Sequence, residues 1–110
     1  MVDWRRPTVP APVFKRTFEL KTAKPDAVAF VSGLGFFELY VNGRKVGDEV
    51  LEPTVTCYDR RWRYKRYPVG EYLRPGDNTV AIMLGNGWYN CQTPDVWHFD
   101  KATWRDYPKM

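Results

Sequence analysis

Asn42-Gly43 lies between two runs of alternating apolar residues in GLGFFELYVNGRKVGDEVLEP (33–53). An Asn-Gly pair in that setting is the strongest short-range signal for a β-hairpin. A type I′ turn needs positive φ at both central residues, which glycine adopts freely and asparagine tolerates. The pattern predicts strands over Phe36–Val41 and Arg44–Val50, which points to an antiparallel β protein.

The rest of the chain reads the same way. Val13–Leu20 alternates, with Phe14, Arg16, Phe18 and Leu20 on the face expected to be buried. Lys24-Pro25-Asp26 is a turn. Residues 27–32 are apolar on both faces and predict a central strand covered on both sides. Gly33 and Gly35 flank Leu34 and suggest a bulge or bend. Leu51–Arg60 reads as a loop. Arg61–Tyr67 is the next strand, with Trp62 and Tyr64 assigned to the buried face and Arg61, Arg63 and Lys65 to the solvent. Val69–Leu73 is a single turn, Arg74–Asn78 a tight turn and Thr79–Leu84 an apolar strand. Residues 90–110 are aromatic and irregular, with a short helix expected near Asp100–Arg105.

Five or six short strands without a long helix make the fold class all-β: an antiparallel β-sandwich or jelly roll. The 110 residues divide into an entry or linker segment over 1–12, rich in proline, and one sandwich domain over 13–110. A complete jelly roll has about eight strands. The expectation is therefore of a domain incomplete at its C-terminus, with an open sheet edge that invites strand pairing between two copies.

The chain carries thirteen acidic residues, yet none sits in a recognisable catalytic frame. Glu38 is on a hairpin strand, and Asp48, Glu49, Glu52 and Asp77 lie at turns that favour such residues in any case. Ser32 has no base partner beyond the lone His98 and no nucleophile-elbow pattern around it. Neither glycine-rich stretch precedes a helix, so a phosphate cradle is unsupported. No catalytic residue is assigned. With one His, and with Cys57 and Cys91 in no ligand spacing, no metal and no cofactor are expected. The redox state of the two cysteines is left open. No apolar run approaches the roughly twenty residues of a membrane-spanning helix, and no membrane partner is expected.

Five of the seventeen basic residues fall within 60–66, interleaved with aromatics. That pattern suits either a single-stranded nucleic-acid groove or the solvated face of a strand whose long stems cover apolar surface. The second reading is preferred, and no nucleic-acid partner is expected. A different cluster carries the binding hypothesis. Asn86, Trp88 and Tyr89 in GNGWY, with Trp97 and His98 shortly after, put rings beside amide and imidazole groups. Such groups recognise hydroxyl-rich ligands by stacking and hydrogen bonding. The competing assignment is that these aromatics anchor loops against the sandwich or against a neighbouring domain.

Four segments carry a family resemblance: PVFKRTFEL (12–20), VSGLGFFELYVNGRKVGDEVLEP (31–53), YDRRWRYKRYPV (58–69) and LRPGDNTVAIMLGNGWY (73–89). Together they resemble the N-terminal accessory domain of bacterial α-L-rhamnosidases, family 78 glycoside hydrolases. ELYVNGRKVG and LRPGDNTVAIML are shared more loosely with sugar-binding jelly rolls of β-galactosidase-like enzymes, which stand as the alternative, together with a purely structural interaction domain. SGLGFFELYVNG combined with LGNGWY is the more specific pairing. The resemblance implies a galactose-binding-like sandwich. It also implies a parent enzyme that releases terminal α-L-rhamnose with inversion in a separate (α/α)6 barrel. This chain would then bind a rhamnose-containing glycan or support that barrel, and none of the family's catalytic residues maps onto it. The compartment is left open: periplasmic or extracellular if the parent carries a signal, otherwise cytoplasmic.

Overall fold

The computed structural model describes residues 10–91, 94 and 96–110. The linker expected over 1–12 lies, through residue 9, outside the described residues. Among the described residues six strands form: β1 (Val13–Leu20), β2 (Val28–Ser32), β3 (Phe36–Val41), β4 (Arg44–Lys45), β5 (Tyr64–Pro68) and β6 (Gly76–Gly85). They make a four-stranded sheet ordered β1-β6-β3-β4 and a two-stranded sheet β2-β5. All pairings are antiparallel.

The hairpin turn has the backbone its sequence demands. Asn42 sits at φ 50° and Gly43 at φ 78°, the left-handed pair of a type I′ turn. β4 is shorter than the expected Arg44–Val50. Val46 N–H still donates to Leu39 C=O at 2.8 Å, but Gly47 then takes φ 76° and turns the chain off the ladder. A second device locks the turn in place. Asn42 Nδ2 donates to Tyr72 C=O at 2.8 Å and to Asn78 Oδ1 at 2.9 Å, while Asn42 Oδ1 accepts from Thr79 N–H at 2.9 Å.

The period-2 rule puts Phe37, Leu39 and Val41 of β3 on one face, opposite Leu84, Ile82 and Val80 of β6. Against them pack Val31 of β2, Tyr67 of β5 and Val69, closing the core with Val46. The Phe37 and Tyr67 rings meet edge-to-face across the two sheets at 6.4 Å. Each fully buried apolar side chain here stabilises the fold by about 2 kcal/mol.

Three assignments of faces need correction. β2 is not covered on both sides. Among the described residues it pairs only with β5, and no layer lies over its outer face, where Phe30 is 65% exposed. In β5 the aromatic and basic faces are exchanged near its start. The register opposes Val31 with Lys65 and Ala29 with Tyr67, which turns Lys65 and Tyr67 inward and leaves Tyr64 in solvent. Lys65 is accommodated because its stem covers apolar surface while its amine reaches Glu49 at 3.3 Å and Glu52 at 3.5 Å. Finally, the inward face of β1 is largely open. The second sheet, two strands wide, covers the β3 side, leaving Phe14 exposed above a shallow depression of about 350 Å³ shared with Arg16, Val80, Ile82 and Met110. The turn expected at Val69–Leu73 is a 3-10 turn over Gly70–Tyr72, and the short helix near 100–105 is a 3-10 turn over Phe99–Lys101.

On the outer face of β3 the Tyr40 hydroxyl donates to Glu38 Oε2 at 2.5 Å, and Lys45 stands 3.5 Å from the same carboxylate. The Tyr40 bond, ahead of the Lys45 charge, holds the Glu38 carboxyl below its ordinary value of 4.5. The same bond raises the Tyr40 phenol above 10.0. A depressed carboxyl stabilises the fold above its unfolded pKa and loses that contribution as pH falls through the folded one. A raised phenol stabilises below its unfolded pKa and loses that as pH rises through the folded one. Glu38→Gln should therefore cost stability on the plateau between these values and converge with the unmodified protein in acid. Urea melts across pH 3 to 8 would show the convergence, and parallel curves across that range would refute it.

Candidate functional site

The candidate residues sit at the end of the sandwich where β3 begins and β6 finishes. Phe36 pairs with Gly85 at the last rung of the β3–β6 ladder. Just beyond that rung the two glycine-bearing segments touch backbone to backbone. Gly35 has φ 100°, and a Cβ there would run into the Gly85 carbonyl oxygen; a Cβ on Gly87, itself at φ 53°, would lie 3.1 Å from Phe36 N. Side chains are absent where these two turns cross, so the chain after β6 is aimed back across the sheet end. This is the physical link between the SGLGF and LGNGWY motifs: each supplies the glycines that let the other approach.

The loop that follows is held from within. Asn90 N–H donates to Asn86 C=O at 3.0 Å and Asn90 Nδ2 to Asn86 Oδ1 at 2.9 Å. Asn86 thus tethers its own loop through both its backbone and its side-chain oxygen, while remaining exposed. The closing segment is fixed by Leu34 and Lys109, which exchange backbone bonds at 2.8 and 3.0 Å.

Between these tethers six aromatic rings form a continuous network. Tyr58 meets Tyr89 at 5.4 Å and Trp104 at 4.9 Å. Tyr89 and Trp104 stack at 6.0 Å with 14° between planes. Phe99 touches Trp104 at 5.7 Å, Trp88 at 5.7 Å and Trp97 at 6.3 Å. Exposure is graded along the network: Tyr58 and Tyr89 are buried, Trp88 is 39% exposed and Trp97 69%. Burial pushes the Tyr58 phenol up, as expected for a hydroxyl closed off from water.

The sequence-derived residues divide accordingly. Trp88 and Trp97 come together on the accessible side through Phe99. Tyr89 does not reach that side; it lies in the base of the network with Tyr58 and Trp104. His98 is exposed, in the left-handed region at φ 57°, and its C=O accepts from Lys101 N–H at 3.0 Å to open the 3-10 turn. It stands beside Trp97 in the chain without a side-chain hydrogen bond to the ring network among the described residues. Sequence reasoning missed Tyr58 and Phe99. Phe99 was legible as the neighbour of Trp97 and His98. Tyr58 lies thirty-one positions before Tyr89, and no local pattern connects them.

Among the described residues no group of three His, Cys, Asp or Glu is placed to hold a metal ion. Cys57 is exposed, Cys91 is buried, and the two are not joined. No helix of the described residues is long and apolar enough to cross a membrane. The arrangement offers an aromatic floor with two partly open indoles, which present flat apolar faces.

Comparison with known proteins places this architecture. The α-L-rhamnosidase N-terminal domain family matches residues 22–110. An α-L-rhamnosidase of Formosa agariphila is 39% identical over 79 residues, which is 72% of this chain and 8% of that protein. The structure of an α-L-rhamnosidase from Dictyoglumus thermophilum superposes with a TM-score of 0.69 at 37% identity, over 77% of this chain and 10% of that one. A Streptomyces avermitilis α-L-rhamnosidase, solved in complex with L-rhamnose, gives a TM-score of 0.67 at 34% identity, over 73% and 8%. The chain thus spans about a tenth or less of the length of these relatives.

Proposed function

Because the chain belongs to the α-L-rhamnosidase N-terminal domain family, we propose that it is the non-catalytic accessory domain of an α-L-rhamnosidase. In this reading the end of the sandwich bearing Trp88, Trp97 and His98 contacts a rhamnose-containing glycan. The parent enzyme would hydrolyse terminal α-L-rhamnose in a domain outside this chain.

One observation carries the sugar-binding part: Trp97, 69% exposed, sits at the open end of a ring network whose base is closed. An indole positioned by Phe99 and left open to solvent loses little side-chain freedom on binding, and it can lie against the CH face of a pyranose. The exposed His98 imidazole, with the Asn86 amide whose oxygen already accepts from Asn90, lies near the same end and can serve hydroxyls.

A second reading has its own support. Tyr58, Tyr89 and Trp104 are packed as a structural anchor, and the open Trp88 and Trp97 rings would also suit a flat neighbouring domain such as the parent's catalytic barrel. Titration calorimetry separates the two. Sugar contact predicts heat on adding a rhamnose-terminated oligosaccharide, with affinity at least about fivefold weaker in Trp97→Ala, the loss expected for one stacked ring. No heat with folded protein removes sugar contact and leaves the supporting role. That role predicts instead that Trp97→Ala lowers the melting temperature of the full-length enzyme while sugar affinity is unchanged.

A further inference from the structure

On the opposite side of the molecule's second sheet lies a surface that the accessory-domain reading does not use. The β2–β5 register opposes Phe30 with Arg66 and Ser32 with Tyr64, so these four side chains share the outward face. Phe30 and Tyr64 are each 65% exposed, yet they hold each other edge-to-face at 5.8 Å with 60° between planes. Just before β5, Trp62 is 64% exposed while its indole N–H is held by the Tyr58 carbonyl at 2.6 Å. Paired rings open on the outer face of a sheet make the kind of contiguous apolar patch that marks a contact surface.

The charge around them is specific. Within 60–66, Lys65 is neutralised by Glu49 and Glu52 on the inner side, and Arg60 stands 4.0 Å from Asp59. Arg61, Arg63 and Arg66 have no acidic partner within ion-pair distance among the described residues. The unpaired positive charge is therefore arginine alone. Its planar fork takes a carboxylate through two parallel bonds, and an exposed ring beside it takes the CH face of a sugar.

We propose that the outer face of β2–β5 is a second binding surface, for a polysaccharide bearing uronate carboxylates. Arg66 engages a carboxylate while Phe30 and Tyr64 contact the pyranose that carries it. One feature favours an acidic sugar over a single-stranded nucleic acid. The Phe30 and Tyr64 rings are tilted 60° against each other beside Arg66 and form no parallel platform for successive bases.

Affinity electrophoresis of the folded protein in gels containing polygalacturonate, with a neutral galactan as control, tests this. Retardation is expected in polygalacturonate only, weakening as salt rises. Arg66→Gln and Phe30→Ala should each weaken it at least about fivefold, the loss of one charge-assisted contact or one ring. Arg66→Lys should restore only part. Both positions are exposed, and circular dichroism is the check that the variants fold. No retardation, equal retardation in both polymers, or variants that bind as the unmodified protein would overturn the proposal. So would tighter binding to a single-stranded oligonucleotide or to a sulfated neutral galactan. Trp97→Ala should leave polygalacturonate binding intact, so this surface and the rhamnose-contact reading stand or fall separately; loss of uronate binding in that variant would also overturn it.

Discussion

Replacing Asn78 by Ala should lower stability by about 3 kcal/mol, as much as truncating a buried apolar side chain of the core. Asn78 is 1% exposed, one of the two most completely enclosed side chains described, and it is polar. Its Oδ1 accepts from Asn42 Nδ2 at 2.9 Å and from Arg74 N–H at 3.0 Å. Its Nδ2 donates to the carbonyls of Arg74 at 2.7 Å and Gly76 at 3.0 Å. One amide thus closes the turn before β6 and ties it to the hairpin turn between β3 and β4. Removing it leaves several polar groups without partners in a space that water reaches poorly, and the cost of each unmet group exceeds the worth of the bond itself. Urea unfolding should show the midpoint falling with the slope unchanged. Asn78→Asp keeps the shape and the acceptor but loses the two donated bonds and buries a charge, so it should not rescue. A loss under about 1 kcal/mol in Asn78→Ala would show that water replaces the amide and that the turn is not held from inside.

Gly35→Ala is expected to match or exceed that loss. Two costs add. An L residue at φ 100° lies outside its favoured regions, which costs about 1–2 kcal/mol. The new methyl also meets the Gly85 carbonyl oxygen, and it comes within 3.1 Å of Asn86 O and 3.3 Å of Pro108 Cβ. Its principal obstacle is backbone at a paired rung, which cannot rotate aside as a side chain can. The substitution should lower thermal stability by roughly 3 kcal/mol or more and loosen the 85–91 loop. Tyr89 and Trp104 report on this directly: weakened near-ultraviolet circular dichroism is expected from rings that no longer stack. Gly43→Ala is the matched control. Gly43 also has positive φ, but the methyl that alanine would add there meets nothing within 4 Å. It carries the backbone cost alone and should leave the aromatic signal intact. Equal losses in both variants, with the ring signal unchanged in Gly35→Ala, would refute the close contact as the support of the site.

Much of the architecture was written in local sequence. Asn42-Gly43 specifies its own turn because backbone sterics at two residues decide it, whatever surrounds them. The ranges of β1 and β3 follow from period-2 alternation and from the Pro, Gly and Asn residues at their ends. Motif content was equally local: SGLGFFELYVNG with LGNGWY named a family that the comparisons bear out. The site was legible only in part. Trp88, Tyr89 and Trp97 were visible as rings near flexible glycines, but which of them faces solvent was not. Tyr89 turned inward because Tyr58, delivered by the connection between β4 and β5, and Trp104, brought back by the Leu34–Lys109 pairing, enclose it.

Faces required the tertiary structure for the same reason. Alternation states that residues two apart share a side; it does not say which side is the core. For β5 that choice was made by the pairing of Val31 with Lys65 and Ala29 with Tyr67, together with Glu49 and Glu52, which make an inward Lys65 tolerable. For β1 and β2 it was made by sheet width, since a two-stranded layer covers β3 but cannot also cover β1. The sequence by itself therefore determined the hairpin turn, the ranges of β1 and β3 and the family, all set by short-range sterics and residue order. Only the packing of distant segments decided which aromatic rings are structural floor and which, Trp97 and Phe30 among them, stand open to a partner.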